Sequence, residues 1–330
     1  MSEAPPFTIS QTMLDMVFRI GELVNSIEHY ELLDPHPKLR KQNRIRSIHS
    51  SCAIEANSLS VGQVEDIIDG RKVIGPKDEV LEVKNAIEAY SLLGDFNPYS
   101  MDDFLKLHGI IVRNLEKEAG RFRSGAEGVF AGDRLEYMCP PPEFVPSHME
   151  NLFAWLNESS STVNPLIASC VFHYEMVFIH PFSDGNGRMA RLWQTALLGK
   201  WKAIFHWIPI ENRILKAQQE YYDSINFCNS AGNSNRFIEF MLRMILNALE
   251  DSMAEIRTAT EAPPRHLTEF ILKMESGKYY SVKELMELQS YKLRPSFLRS
   301  YIKPAREHGL IEMEYPDSPR TTKQRYKRTE

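Results

Sequence analysis

His180-Pro181-Phe182-Ser183-Asp184-Gly185-Asn186-Gly187-Arg188-Met189-Ala190-Arg191 is the stretch around which the chain reads. Apolar residues before it (Leu166, Ile167, Cys170, Val171, Tyr174, Val177, Phe178) recur at helical spacing, and those after it (Met189, Leu192, Trp193, Ala196, Leu197) do so again. The spacing predicts helix, sharp loop, helix. Gly185 and Gly187 allow close backbone approach, and the loop N–H groups at the start of the second helix make an anion site. Arg188 and Arg191 fall on one face of that helix, where both reach the same anion. His180 is a proton acceptor that titrates near neutral pH. Asp184 offers hard carboxylate oxygen, which suits Mg²⁺ held jointly with phosphates. Taken singly, these residues read as a solvated loop with a capping Asp and surface arginines. Together, at this spacing around Gly-Asn-Gly, they point to a nucleotide polyphosphate.

The stretch resembles the signature of Fic-domain proteins, His-Pro-Phe-x-Asp-Gly-Asn-Gly-Arg-x-x-Arg, and matches it at every specified position. The resemblance implies a protein adenylyltransferase, which moves AMP from ATP to a Ser, Thr or Tyr hydroxyl of a target protein and releases pyrophosphate. It also implies roles. His180 would deprotonate the target hydroxyl, and Asp184 would hold Mg²⁺ bridging the α- and β-phosphates. Asn186 and the N–H groups of Gly185 and Gly187 would line the anion hole. Arg188 would support the phosphates and Arg191 would hold the γ-phosphate. The residue-level reading agrees, since in-line transfer of a phosphorus group needs positioning, charge neutralisation and one base.

With 330 residues the chain is long enough for about two domains and a buried core. A hydrophobic content of 43% and a charged content of 25% are ordinary for a globular protein. A net charge of -5 argues against a chain that coats nucleic acid along its whole length. Cys52, Cys139, Cys170 and Cys228 are scattered without a Cys-x-x-Cys, so they read as reduced thiols, not as a disulfide frame or zinc site. Residues 1–10 lack the basic start and apolar stretch of a signal peptide, and no run is long and apolar enough to span a membrane. The expected localisation is cytoplasmic, with no membrane partner.

Met13, Met16, Val17, Ile20, Leu23 and Val24 form one helical face that ends before Asp34-Pro35-His36-Pro37, and the basic segment 38–46 opens another helix. Ser51-Cys52-Ala53-Ile54-Glu55-Ala56-Asn57 reads as a separate short helix over about 47–57. It is similar to the inhibitory helix of many Fic proteins, in which a Ser or Thr is followed after three residues by Glu and then by Gly or Asn. Ser51 and Glu55 fit; Ala56 departs. The resemblance implies that Glu55 pairs with Arg191 and fills the space of the ATP γ-phosphate. Breaking a buried carboxylate–arginine pair from one side costs about 3–5 kcal/mol.

Helices follow over 61–70, 79–93 and 102–115; His108, on the last of them, reads as a packed core residue outside the site. Residues 120–142, rich in glycine and closed by Pro140-Pro141-Pro142, predict a β-hairpin. The resemblance makes it the flap that aligns a target segment by strand addition, with Gly128, Val129 and Phe130 as docking residues. Helices are expected over 148–156, 163–178, 191–201, 209–227 and 237–253. In Fic relatives a Tyr-Tyr pair and an Asn line the adenine pocket, a placement that Tyr222 and Asn229 match.

The expected architecture is mainly α: an N-terminal helical region over 1–100, a Fic core with its hairpin flap over 101–250, a linker over 251–265, and a small winged-helix-like domain over 266–330. The last rests on short helices followed by two expected strands, 310–313 and 324–326. Residues 291–330 hold ten Lys or Arg against five Asp or Glu, net +5, leaving -10 on the rest. That asymmetry permits DNA binding, while a scaffold, dimerisation or target-docking module fits the same pattern. Two other readings stay open: AMP removal or transfer of another phosphate-linked group on the same scaffold, and a DNA-binding regulator whose Fic core senses nucleotide. Many relatives dimerise, which leaves a homo-oligomer open as well.

Overall fold

The structure, a computed structural model, describes residues 4–33, 36–131, 134–261, 263–316, 318–319, 321 and 323–329. Asp34, Pro35, Gly132, Asp133 and Ala262, which fall in the turn, hairpin and linker expected above, lie outside them. The chain divides into two compact units, Met1–Ala254 and Glu255–Glu330.

As far as residue 261 the elements are α1 (Gln11–Leu33), α2 (Pro37–Ile54), α3 (Val61–Ile68), α4 (Lys77–Leu92), α5 (Met101–Ile111), β1 (Gly128–Ala131), β2 (Arg134–Met138), α6 (Val145–Ser159), α7 (Pro165–Ile179), α8 (Asn186–Trp201), α9 (Ile210–Lys216), α10 (Gln218–Ala231) and α11 (Asn235–Glu261). The core is the α7–α8 pair. α7 is apolar almost all round, and such a helix ends up enclosed by others; α8 is buried over most of its length although it carries Arg188, Arg191, Gln194 and Thr195. Asn164 caps α7 by accepting from Leu166 N–H, and Pro165 stands at its first turn. Trp193 of α8 is fully buried, edge-on to Phe104 at 5.1 Å between ring centroids. Its indole N–H donates to the Pro98 carbonyl at 3.1 Å, so burying this large ring leaves no donor unpaired.

The short helix expected over 47–57 is instead the last part of one continuous helix, α2, which ends at Ile54 with Glu55 at its C-terminal cap. The reason lies in what α2 buries. Asn43, Ser47, Ser50 and Ser51 are buried beside Ile45, Ile48, Cys52 and Ile54, so half of the packed positions are polar and the apolar periodicity is diluted. Hydroxyl bonds serve the polar half: Ser47 donates to the buried Glu211 at 2.8 Å, and Asn212 donates to Ser50 at 3.3 Å. The single helix expected over 209–227 is broken between α9 and α10, where Ala217 leaves helical geometry at φ -119°. Residues 251–261, expected within a linker, belong to α11, and Met253 and Ile256 are buried.

From residue 263 onward come α12 (Arg265–Leu272), β3 (Tyr280–Ser281), α13 (Val282–Leu288), α14 (Arg294–Phe297), a π-helical turn (Leu298–Ile302), α15 (Lys303–Glu307), β4 (Ile311–Met313) and β5 (Arg325–Arg328). The antiparallel sheet has order β3-β5-β4, pairing Tyr280 with Tyr326 and Ile311 with Arg328. Phe270, Leu285, Phe297, Ile302, Ala305 and Tyr326 fill its core. This is the winged-helix order. β3 escapes a reading of the sequence because two residues cannot display alternation. No helix among the described residues is long and apolar enough to cross a membrane.

Candidate active site

α7 ends at His180, which adopts left-handed geometry (φ 52°, ψ 62°), a conformation uncommon outside glycine. Two side chains outside the loop hold it there. Arg123, buried in the segment before the hairpin, donates to the carbonyls of His180 (2.7 Å), Gly125 (2.7 Å) and Pro140 (2.6 Å). Its own N–H donates to Pro181 O at 2.9 Å. His108, on α5, bonds the Asp184 carbonyl through Nε2 at 3.0 Å and accepts from Gly120 N–H at Nδ1. Those partners fix it as the neutral Nε2–H tautomer. Burial moves its pKa down to about 4. Its ring lies flat on Phe182, 3.5 Å between centroids. His108 is thus a packed core residue, as expected, and also the floor of the loop.

Within the loop, the Asn186 side chain accepts from Phe182 N–H at 3.0 Å and donates to Phe182 O at 2.7 Å. Its amide therefore braces the turn. Gly185 has φ 82°, and a Cβ there would stand 2.8 Å from Val112 Cγ1, so only glycine fits. At Gly187 a Cβ would collide with Glu55 Oε1. The His180 ring bonds the Val177 carbonyl through Nδ1 at 3.3 Å. A carbonyl only accepts, so Nδ1 carries the hydrogen and the Nε2 lone pair stays available. Burial lowers the His180 pKa below the ordinary imidazole value of 6.5; the Val177 bond offsets part of this, and the Arg123 charge lowers it further.

The two arginines of α8 have different partners. Arg191, 1% exposed, donates through Nη2 to Glu55 Oε1 at 2.7 Å and to the Ser51 carbonyl at 2.9 Å, and through Nε to Ser51 Oγ at 3.2 Å. Its Nη1 is buried without a hydrogen-bond partner, an open donor beside Gly187. Arg188 spans two carboxylates: Glu82 of α4 through Nη1 at 2.8 Å and Asp184 through Nη2 at 2.9 Å. Asp184, half exposed at 51%, also accepts from Gly185 N–H at 2.6 Å.

Glu55 is clamped on both sides. Ahead of it, the Ile54 carbonyl accepts from Gln218 Nε2 at 2.9 Å and from the Tyr222 hydroxyl at 3.3 Å, both on α10. Behind it, Asn57 Nδ2 donates to Glu82 Oε2 at 2.6 Å and to Glu79 O at 3.1 Å. Ser58 donates to Glu79 Oε2 from both its N–H and its hydroxyl. Ala56 sits between the anchors at φ 67°, the left-handed geometry that the more usual Gly or Asn adopts easily.

These residues meet at a cleft of about 670 Å³. Glu55, His180, Gly187, Arg191, Tyr222, Asn229 and Val129 line it; Ser51, Asp184, Gly185, Asn186 and Arg188 stand around it and not on its wall. Asn229 Oδ1 accepts from the Tyr174 hydroxyl at 3.0 Å. In the hairpin, Val129 pairs with Tyr137 and Gly128 with Met138, with a bulge after Val129. The side chain of Phe130 lies outside the described residues. Glu82, Arg123, Asn57 and Gln218 belong to the site and were not singled out from the sequence. Asn57 alone carried a signal, standing two residues after Glu55.

Comparison with known proteins follows the same lines. Residues 98–198 match the Fic/DOC family, and residues 267–329 match the C-terminal domain of "Filamentation induced by cAMP protein Fic-like". A solved Fic family protein from Desulfovibrio desulfuricans G20 is 38% identical, with a TM-score of 0.78 over 99% of this chain and 98% of its own. A solved portion of Fic-1 from Caenorhabditis elegans is 25% identical, with a TM-score of 0.62 over 75% of this chain and 73% of its own. Among curated proteins, the protein adenylyltransferase fic-1 of C. elegans is 28% identical over 77% of this chain and 49% of its own length. The protein adenylyltransferase Fic of Nematostella vectensis is 28% identical over 74% and 57%. The chain thus spans about half the length of the curated relatives it matches.

Proposed function

We propose that this chain, which belongs to the Fic/DOC family, moves AMP from ATP to a hydroxyl group of a protein, and that its own Glu55 holds the reaction off. Residues 101–250 are read as the catalytic core and the end of α2 as the brake. The observation that carries this reading is the pairing of an available His180 Nε2 with the buried cation Arg191 across one cleft. The base takes the proton of the incoming hydroxyl at Nε2 as its oxygen bonds to the α-phosphorus, and the bond to the β-phosphate oxygen breaks, releasing pyrophosphate. The N–H groups at the start of α8 and Arg188 stabilise the charge on the transferring group. The open Nη1 of Arg191 is available for a γ-phosphate oxygen, as is Nη2 once Glu55 leaves. Tyr222 and Asn229 supply a ring face and an amide edge for adenine.

Asp184 suits Mg²⁺ in one specific sense. Among the described residues there is no cluster of three protein ligands, whereas one half-exposed carboxylate stands beside the anion site. Mg²⁺ is commonly held in that way, by one or two carboxylates together with substrate phosphates and water. Bound there, the ion would neutralise charge on the α- and β-phosphates.

Glu55 opposes the reaction by occupying the Arg191 guanidinium. The carboxylate is 35% exposed, so the cost of about 3–5 kcal/mol for splitting a fully buried pair is an upper bound here. Mass spectrometry tests the reading: AMP adducts are expected on proteins of a cell extract incubated with ATP, Mg²⁺ and Glu55→Gly, and not with Glu55→Gly/His180→Ala. Equal adducts in both samples would reject His180 as the base.

A further inference from the structure

The second unit carries its charge unevenly. Outside residues 292–306 some of its cations meet acids: Arg265 meets Glu269 at 2.8 Å, Lys278 Glu275 at 3.1 Å, Lys327 Glu312 at 3.4 Å and Arg325 Glu314 at 3.9 Å. Lys273, Lys283 and Lys323 have no ion pair among the described residues but stand singly on separate segments. The helix over 294–307 gathers several such cations in one place. Lys292, just ahead of it, and Arg294, Arg299 and Arg306 on it are all exposed, and none has an ion-pair partner among the described residues. Only Lys303 meets an acid, Glu307, at 3.8 Å.

Arg299, Lys303 and Arg306 recur at the spacing of one helical face. Phe297, Ile302 and Ala305 on the other side are buried in the core of the unit. The basic face is therefore fixed outward by packing. Like charges crowded on one face repel one another, and a bound polyanion relieves that repulsion. The setting narrows the choice of polyanion. α13 precedes this helix across a short turn in which Ser290 is left-handed (φ 50°), and β4 and β5 follow it. A second helix so presented fits the width of the duplex major groove, with its basic residues reaching the flanking phosphates.

We propose that residues 292–306 form a docking face for double-stranded DNA, with Arg294, Arg299, Lys303 and Arg306 on the phosphates. Neutralising these phosphates releases their condensed counterions, so binding depends steeply on salt.

Fluorescence anisotropy of the full chain with a labelled random-sequence duplex tests it, at about 50 and about 200 mM salt. Binding is expected at the lower salt, weakening roughly tenfold or more at the higher. The variant Arg294→Ala/Arg299→Ala/Arg306→Ala is expected to bind at least about tenfold more weakly at low salt, with a slope against log salt shallower by about three. Arg299→Glu, a single surface change, covers the case in which the triple variant fails to fold and is expected to weaken binding several-fold. No binding by the full chain at low salt overturns the proposal. So does unchanged binding by the variants, or equal affinity for an acidic polypeptide, which would mark a protein-docking face.

Discussion

Glu82 Oε1 lies 2.8 Å from Arg188 Nη1, in a pair nearly shut off from water at 13% and 6% exposure. The other oxygen of the same carboxylate accepts from Asn57, two residues beyond Glu55. One side chain of α4 thus holds both Arg188 and the segment just beyond Glu55. Burial raises the Glu82 pKa, and the Arg188 charge pulls it back toward the ionised form. Glu82→Ala leaves Arg188 buried with Asp184 alone and is expected to cost at most about 3–5 kcal/mol of stability, since one ion pair remains. Glu82→Gln, which keeps hydrogen-bonding groups at this position, should cost less. Urea unfolding of the two variants checks the order.

Ala56 gives a second expectation. Its left-handed geometry costs about 1 kcal/mol relative to glycine, and leaving the clamp relieves that strain. Ala56→Gly should therefore stabilise the inhibited state and lower basal AMP transfer by up to about fivefold. Initial rates of self-modification or extract labelling measure it.

The near anchor of the brake is weaker. Gln218→Ala removes one neutral hydrogen bond to the Ile54 carbonyl, worth about 0.5–1.5 kcal/mol. Basal transfer should rise by roughly two- to tenfold. A rise as large as that of Glu55→Gly would mean that Gln218, and not Arg191, is the main hold on α2.

The pH dependence follows from His180. The base works in its neutral form, and burial places its pKa below 6.5. A lowered value keeps the imidazole neutral through pH 6.5, so kcat/KM of Glu55→Gly should hold there and fall only at lower pH. An acid limb centred above the ordinary imidazole value would assign the titration to another group.

The loop was legible because all its parts lie within twelve consecutive residues, 180–191, each constrained by local geometry. Glu55 was legible through resemblance, and its ion pair with Arg191 stands in the structure as expected. Glu82, Arg123 and Gln218 were not, because each enters the site from a distant element and carries no local signal of its destination. The continuity of α2 was hidden for a related reason: half of its buried positions are Asn43, Ser47, Ser50 and Ser51, and apolar periodicity registers only the other half. The break at Ala217 lies at a good helix former, so propensity argued against it.

Transfer of label from ATP tests the central claim most directly. With α-labelled and, separately, γ-labelled ATP and Mg²⁺, the wild-type chain, Glu55→Gly and Glu55→Gly/His180→Ala would each be incubated alone and with cell extract. α-Label is expected on protein with Glu55→Gly, far less with the wild-type chain, none with the double variant, and no γ-label anywhere. Equal α-labelling by the wild-type chain and Glu55→Gly would contradict the brake, and γ-label on protein would contradict transfer of AMP.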